Sequence, residues 1–308
     1  GAVDYECEAF LDGVSVGTHF GGTVSFAFDI TAHCHPGRQH DLVVRVYDDT
    51  RSGVQPGGKQ SHALRSQGCH YTRTTGIWQT VWLEAVHPLG LSSVQIVPDV
   101  DGSRLLITPQ FRALASGCSF RVTASIDGAL PAGASAPATP GNTLVLELSD
   151  PKLWAPGTPH LYDLSLDVLA DGVTVDHVMS YAGMRKVHIE GNRVFLNNRP
   201  LYQRLVLDQG FYPDGIWTAP SDAALIRDIE LSLAAGFNGA RLHQKVFEER
   251  FHYWADRMGY LTWAESSSWG GDPDTIGYAR NFLSEWAEIV TRDRNHPSII
   301  TWTPFNET

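Results

Sequence analysis

The sequence is poor in several features that mark large classes of protein. It has no run of about 18 consecutive apolar residues, so no segment is predicted to span a bilayer. Its formal net charge is −11, and its basic residues form no cluster. That balance argues against a nucleic acid or an anionic membrane as partner.

Cysteine and histidine are present but lack metal-binding spacings. None of the four cysteines forms a C-x-x-C pair, so free thiols are predicted rather than a zinc site or a disulfide framework. No H-E-x-x-H or comparable histidine spacing occurs. The sequence therefore predicts neither a metal nor another cofactor. The cysteines are Cys7, Cys34, Cys69 and Cys118.

The beginning of the sequence has neither a methionine nor a signal-like segment. Residues 1–30 already have the pattern of the middle of a β-sheet domain. We therefore expect the natural start to be missing. This leaves the compartment undetermined between cytoplasmic, periplasmic and secreted locations.

Hydrophobic residues make up 43% and charged residues 19% of the chain, which is typical of globular proteins.

The pattern of apolar residues and turn signals divides the chain into three segments. Residues 1–87 are predicted to be all-β, with a hairpin at Asp12-Gly13, strands over 24–30, 42–47 and 78–84, and a long polar loop over 50–76. Residues 88–187 show short strands at regular spacing, which predicts a small β-sandwich. The Ala/Pro/Gly-rich stretch 129–141 is predicted to be a surface connection.

From about residue 188 the pattern changes to strands alternating with helices. Helices are predicted after Pro220, with Ser221 or Asp222 as N-cap, over 247–258 and over 276–293. Strands are predicted over 200–207, 237–242, 260–264 and 298–305. Short connections of this kind predict a parallel sheet with helical crossovers, and four strands are half of an eight-stranded barrel.

The last strand carries the most informative residues. Asn295-His296-Pro297 predicts a turn, and the apolar run 298–305 predicts a buried strand. Asn306-Glu307 then falls at the C-terminal end of that strand, where barrels of parallel strands place their chemistry. A carboxylate there, beside an amide, suits a general acid/base acting on a bound sugar.

Three motifs together resemble glycoside hydrolase family 2, the family of β-galactosidases, β-glucuronidases and β-mannosidases. They are the Thr75–Glu84 run, the Leu153–Tyr162 run followed by Gly183-Met184-Arg185, and the Asp293–Ser298 run leading to Asn306-Glu307. The resemblance covers the chain in family order. It implies a sugar-binding jelly-roll domain at 1–87 without its N-terminus, an immunoglobulin-like β-sandwich at 88–187, and the first half of a (β/α)8 TIM barrel at 188–308.

The resemblance also implies a retaining exo-β-glycosidase, most like the β-galactosidases, that uses two carboxylates in a double displacement. Glu307 matches the acid/base position. The nucleophile is expected beyond Thr308, so the chain alone is expected not to hydrolyse substrate by this route. Asn306 matches the family residue that contacts the sugar 2-hydroxyl.

Other strand ends supply further candidate substrate-binding residues. Arg241 is expected to hold catalytic carboxylates, and His243 is expected to bind a sugar hydroxyl. The alternative for His243 is a buried core residue whose hydrogen bonds are all made within the protein. Glu265 is expected to orient Arg241 or bind a hydroxyl. Trp269 is expected to stack on sugar or pack its loop, and Asp208 to accept bonds from substrate or stabilise a turn.

Several alternatives stay open. The substrate group lies between β-galactoside, β-glucuronide and β-mannoside. A non-catalytic carbohydrate-binding protein built from the two β segments is the alternative from another class. A carbohydrate is the expected partner in every case. Unpaired edge strands of half a barrel also predict poor solubility or a homo-oligomer.

Overall fold

The computed structural model describes residues 1–128 and 132–307. In these ranges the chain is mostly β, with three α-helices confined to its last third. None of those helices has both the length and the apolarity needed to cross a bilayer.

The first segment forms two small antiparallel sheets. One has the strand order β3-β2-β4, and the other pairs β1 with β5. The predicted hairpin is confirmed: Asp12 and Gly13 join β2 to β3 with φ values of 50° and 83°, the left-handed pair that a two-residue hairpin requires. The strands are β1 (Val3–Asp4), β2 (Glu6–Leu11), β3 (Val14–Phe20), β4 (Leu42–Tyr47) and β5 (Gly76–Ile77).

Two strands predicted in this segment are wrong. Residues 24–30 form no strand. Residues 78–84 also form none, since β5 ends at Ile77, directly before them. Trp82, inside the second run, is 54% exposed. Alternating apolar residues form a strand only where another strand offers its backbone groups. Within the described residues no strand pairs with either run.

The second segment contains two antiparallel sheets around one core. Their strand orders are β10-β7-β6 and β14-β13-β8-β9. Inward residues of both sheets, among them Leu105, Phe120 and Leu164, are fully buried in the same cluster. The strands are β6 (Leu91–Asp99), β7 (Arg104–Phe111), β8 (Cys118–Ser125), β9 (Ala132–Pro137), β10 (Leu144–Glu147), β13 (Tyr162–Ala170) and β14 (Val173–Ala182), with a separate pair, β11 (Trp154–Ala155) and β12 (Thr158–Pro159).

The predicted surface connection over 129–141 is partly wrong. Residues 132–137 form β9, an edge strand that pairs with β8. Their small side chains still fit a pleated edge, because β8 supplies the ladder of hydrogen bonds. Residues 129–131 lie outside the described residues.

The third segment confirms the predicted parallel sheet with helical crossovers. Its strands pair in chain order, β18-β19-β20-β21, after a small antiparallel sheet of β15, β16 and β17. The sheet is open, and the described residues form no closed barrel. Its elements are β15 (Val187–Glu190), β16 (Arg193–Leu196), β17 (Arg199–Pro200), β18 (Leu205–Asp208), α1 (Asp222–Ala234), β19 (Gly239–Leu242), α2 (Glu249–Met258), β20 (Leu261–Glu265), α3 (Ile276–Asp293) and β21 (Ile299–Thr303).

Local sequence explains where the helices begin. Ser221 is the N-cap of α1, as predicted, and its side chain accepts a hydrogen bond from the Ala224 amide. Thr275 caps α3 in the same way through the Tyr278 amide. Leu225 and Ile229 bury the apolar face of α1 against the parallel sheet.

The sandwich is fastened to the parallel sheet through polar contacts around Asp256 of α2. Its fully buried carboxylate accepts hydrogen bonds from Tyr181 Oη (2.8 Å), His296 Nδ1 (2.6 Å) and the Ser298 amide (2.8 Å). The Asn295 side chain pairs with the edge of β6, accepting from the Ile96 amide and donating to the Val94 carbonyl. The predicted turn therefore also joins two parts of the molecule.

Candidate active site

The C-terminal ends of the parallel strands bring three of the predicted site residues together. Arg241, the third residue of β19, donates from Nε to Glu265 Oε2 at 2.6 Å and from Nη2 to Asn306 Oδ1 at 2.7 Å. Glu265 is the last residue of β20 and is 2% exposed. One guanidinium thus bridges two neighbouring strand ends with charge-assisted bonds, which fixes the positions of both partners.

Asn306 is held from several sides but keeps one donor free. Its backbone amide donates to Ser268 Oγ at 3.3 Å, and its carbonyl accepts from Trp269 Nε1 at 3.0 Å. Its side-chain Nδ2 is buried and has no hydrogen-bond partner within the described residues. A buried amide donor without an acceptor is unfavourable, so this atom is suited to bind a hydroxyl oxygen of a ligand.

Glu307 follows directly and is exposed to solvent. Its φ is 53°, a left-handed backbone conformation that is uncommon for a residue with a Cβ and is concentrated at functional sites. Its backbone follows Asn306, which Arg241 holds at the C-terminal edge of the sheet. The geometry leaves it available to a ligand.

His243 and Asp208 lie at the adjoining strand ends. The His243 amide donates to the Asp208 carbonyl at 2.7 Å, and its Nδ1 lies 3.0 Å from Gln209 Nε2. Burial lowers the pKa of His243, which favours a neutral ring that can accept or donate a single hydrogen bond. Burial raises the pKa of Asp208, whose carboxylate accepts from the Gly210 amide at 2.9 Å.

The long loop 50–76 packs over this edge of the sheet. The Gly57 and Gly58 amides both donate to the Trp269 carbonyl. Gly58 has φ +55°, and a Cβ there would lie 2.1 Å from the Gln244 carbonyl oxygen, so only glycine permits this approach. Farther along, Tyr71 Oη donates to Gln209 Oε1 at 2.7 Å. The loop therefore contributes a wall of the candidate site.

Trp269 packs against that loop. The Lys59 ammonium lies 3.7 Å from its ring centroid, and the His70 ring lies 5.9 Å away. Trp269 therefore packs against the loop, and its stacking on a sugar stays a prediction. Lys59 is 5% exposed, and among the described residues it makes neither an ion pair nor a side-chain hydrogen bond.

Two supporting residues were missed in the sequence. Ser268 Oγ accepts from Gln244 Nε2 and from the Asn306 amide, so it links the two loops; the Ser266-Ser267-Ser268 run directly after β20 was the available signal. Lys245 is fully buried and donates to the carbonyls of Gly210 and Trp217. Burial lowers its pKa to about 8. Nothing in the pattern marks Lys245, because a lysine three residues after a strand end is usually solvated.

Within the described residues, no group of three or more His, Cys, Asp or Glu side chains is placed to hold a metal ion. The amide of Asn306, the imidazole of His243 and the carboxylate of Asp208 are groups that can form hydrogen bonds with a polyhydroxylated ligand.

Comparison with known proteins agrees with these features. Residues 94–185 match the sequence model of the glycosyl hydrolases family 2. The chain is related to the family 2 glycosyl hydrolases. The resemblance inferred from the sequence motifs is thereby confirmed.

Relatives match nearly the whole chain at low identity. A putative β-glucuronidase from Formosa agariphila is 27% identical over 99% of this chain and 37% of its own length. A β-galactosidase from Bacteroides ovatus is 26% identical over 97% of this chain and 36% of its own length. A β-glucuronidase from Paenibacillus borealis is 23% identical over all of this chain and 54% of its own length. The chain thus spans about half or less of these curated relatives.

Solved structures show that the fold is shared. The β-glucuronidase from Ruminococcus gnavus in complex with D-glucuronic acid superimposes with a TM-score of 0.86 and 20% identity. The match covers all of this chain and 54% of that structure. The arrangement of β sheets, followed by a parallel sheet with helices, is therefore one that a β-glucuronidase also has.

Proposed function

We propose that this chain carries the acid/base side of a retaining exo-β-glycosidase. The observation that carries the proposal is the Arg241 guanidinium, which bridges Glu265 and Asn306 directly beside Glu307 at the C-terminal edge of a parallel sheet. Relatives named β-glucuronidase and β-galactosidase support it. We assign residues 1–87 to a sugar-binding jelly-roll domain, 88–187 to an immunoglobulin-like sandwich, and 188–308 to the first half of a (β/α)8 barrel.

In this proposal Glu307 donates a proton to the glycosidic oxygen and later takes one from the attacking water. The free Nδ2 of Asn306 donates to a sugar hydroxyl, and His243 and Asp208 bind other hydroxyls. Glu265 is a positioning residue and not the nucleophile, because its two oxygens already accept bonds from Arg241 and from the Gln244 amide.

A β-glucuronide is the second candidate substrate beside a β-galactoside, and Lys59 favours it. The Lys59 side chain is largely covered, its ammonium lies over the ring of Trp269, and within the described residues no carboxylate pairs with it. The carboxylate of a uronic acid would supply the missing charge. A neutral galactoside offers Lys59 only hydroxyl oxygens.

The acid/base role is tested in the longest natural polypeptide that contains this sequence. Turnover of aryl β-galactosides, β-glucuronides and β-mannosides is measured for the wild type and for Glu307→Gln. We expect a loss of about 10²–10⁴-fold for substrates with poor leaving groups and a much smaller loss for activated ones, since only the former need protonation. Glu147→Gln, an exposed glutamate of β10, is the matched control. Equal losses on both substrate types would contradict the proposal.

The substrate preference is tested with Lys59→Met in the same polypeptide. We expect KM for an aryl β-glucuronide to rise about tenfold or more, with KM for the β-galactoside unchanged, because only the former loses a charge-assisted contact. Lys152→Met, which removes an exposed lysine paired with Asp127, is the control. A parallel change on both substrates would assign Lys59 to loop packing alone.

A further inference from the structure

A cavity of about 150 Å³ lies at the junction of the sandwich and the parallel sheet. Its walls come from β6, from the stretch 182–185 and from the turn before β21. This is the N-terminal end of β21, whereas Asn306 and Glu307 follow its C-terminal end. The cavity is therefore separate from the candidate active site.

Two arginines, Arg185 and Arg294, line this cavity, and its lining contains no acidic residue. Within the described part of the chain neither arginine forms an ion pair. The acidic group that acts on Arg185 electrostatically is Asp256, whose oxygens already accept bonds from Tyr181, His296 and the Ser298 amide. The cavity thus carries two positive charges without a dedicated counter-charge.

The hydrogen bonds of the two guanidinium groups are incomplete. Arg185 donates from Nε to the Pro297 carbonyl at 3.1 Å and from Nη2 to the Ile299 carbonyl at 2.8 Å. These bonds fix its orientation, but its acceptors are neutral. The Nε atom of Arg294 is buried and has no acceptor among the described residues. Leaving a charged donor buried and unpaired is costly, so an acceptor is expected there.

We propose that this cavity binds a small oxyanion, such as sulfate or phosphate, between Arg185 and Arg294. Guanidinium groups hold such oxygens with paired N–H donors. The volume admits several water molecules and hence a tetrahedral anion, but it is well below the roughly 300 Å³ of typical organic-ligand pockets. Water alone would satisfy the N–H groups but would leave both charges without a partner.

The site also has a fixed wall. A Cβ on Gly183 would lie 2.6 Å from Pro297 Cβ and 3.2 Å from Trp154 Cβ, so the sandwich and the turn already meet at van der Waals contact there. An anion bound beside this contact would draw together the stretch that carries Arg185 and the turn that carries Arg294. Binding should therefore stabilise the junction.

The experiment uses the 308-residue chain and follows thermal unfolding against low-millimolar sodium sulfate or phosphate, with sodium chloride at matched ionic strength. We expect a saturable rise in the midpoint of about 2 °C that chloride does not reproduce. Arg294→Gln should abolish the rise. Arg227→Gln, which removes an exposed arginine of α1, should retain it.

A direct measurement keeps the test valid if Arg294→Gln fails to fold. In the wild type labelled with ¹⁵N at arginine, sulfate should shift two Nε–Hε signals along one saturation curve. A rise in midpoint that is linear in sulfate, or equal in Arg294→Gln and the wild type, reflects general salt exclusion and would overturn the proposal. Absence of any shifting Nε–Hε signal would overturn it as well.

Discussion

The first segment and the sandwich have similar alternating sequences but differ in how they bury them. In the sandwich, β13 is paired on both sides, and Leu164 and Val168 are completely buried beneath the opposing sheet. In the first segment, β2 is also paired on both sides, yet Leu42, Val43 and Tyr47 of β4 are 53%, 56% and 62% exposed. The central strand β2 still buries Cys7, Ala9 and Leu11 on one face, so in the first segment it is the edge strand β4 that leaves large apolar side chains exposed.

The first segment and the sandwich also form different hydrogen bonds with the third segment. The sandwich uses Asp256, whose carboxylate has three donors. The first segment uses Glu285 of α3, which accepts from Thr23 Oγ1 at 2.7 Å through one oxygen while the other is buried without a partner in the described residues. Burial raises the pKa of Glu285 to about 7. Asp256 thus has three hydrogen-bond donors, whereas one oxygen of Glu285 has none and burial raises the pKa of that group.

The largest change in stability should come from removing the Asp256 carboxylate, which joins the sandwich to the parallel sheet. Asp256→Ala leaves His296 and two further donors without their acceptor and should lower the free energy of unfolding by about 4 kcal/mol. Urea unfolding followed by circular dichroism measures this change. Asp274→Ala, at an exposed turn position, should have little effect. Similar losses in both variants would show that Asp256 does not hold the junction.

A matched pair of leucines compares the two β regions directly. Leu164→Ala creates a cavity in the sandwich and should cost about 3 kcal/mol of unfolding free energy, whereas Leu42→Ala should cost less than about 0.5 kcal/mol. Urea titration of both variants gives the difference. If Leu42→Ala were as costly as Leu164→Ala, Leu42 would be buried in solution, and the contrast between the regions would be wrong.

Stability should depend on pH through Glu285. Between its usual pKa of 4.5 and the raised value of about 7, the folded chain binds a proton that the unfolded chain has lost. Its contribution is therefore complete below pH 4.5 and declines as pH rises, by about 3 kcal/mol over this window. Glu285→Gln should remove that decline, whereas Glu230→Gln, on the exposed face of α1, should retain it. Urea midpoints from pH 5 to 8 provide the test; an unchanged slope in Glu285→Gln would refute it.

The smallest change in stability is expected for Val43→Thr, which should mainly reduce self-association of the chain. Val43→Thr makes the exposed face of β4 more polar and should alter the unfolding free energy by less than about 0.5 kcal/mol. It should nevertheless reduce self-association in sedimentation velocity, because exposed apolar strands are sites of contact between chains. Val145→Thr, on the 43% exposed side of β10, is the comparison. Equal reductions of self-association in the two variants would mean that the exposed face of β4 contributes no more to contacts between chains than that of β10.

Sequence patterns predicted the third segment well, because each signal there is local. Ser221 caps its helix through its own hydroxyl, and apolar residues at helical spacing require only one buried face. The strands predicted over 24–30 and 78–84 failed because pairing depends on distant backbone that periodicity does not describe. The fastening by Asp256 was equally hidden, since its donors lie 75, 40 and 42 residues away in the sequence.

The same limit applies to the candidate site. The order of motifs was enough to select Arg241, Glu265 and Asn306, which the structure brings into direct contact. The separation of 65 residues between Arg241 and Asn306 is bridged by strands whose ends meet at one edge of the sheet. The sequence marked Lys59 only as a charged residue in a long loop. Its burial depends on the close approach of Gly58 to the Gln244 carbonyl, which the sequence pattern does not describe.

Trp154 gives the junction an optical reporter. Its indole is fully buried and donates from Nε1 to the Asp256 carbonyl at 2.7 Å, although its own strand belongs to the short hairpin between β10 and β13 of the sandwich. Separation of the two parts would expose this ring to water and shift its emission to longer wavelength. A chain retaining Trp154 as its sole tryptophan would therefore distinguish partial opening at this boundary from complete unfolding in a single fluorescence trace.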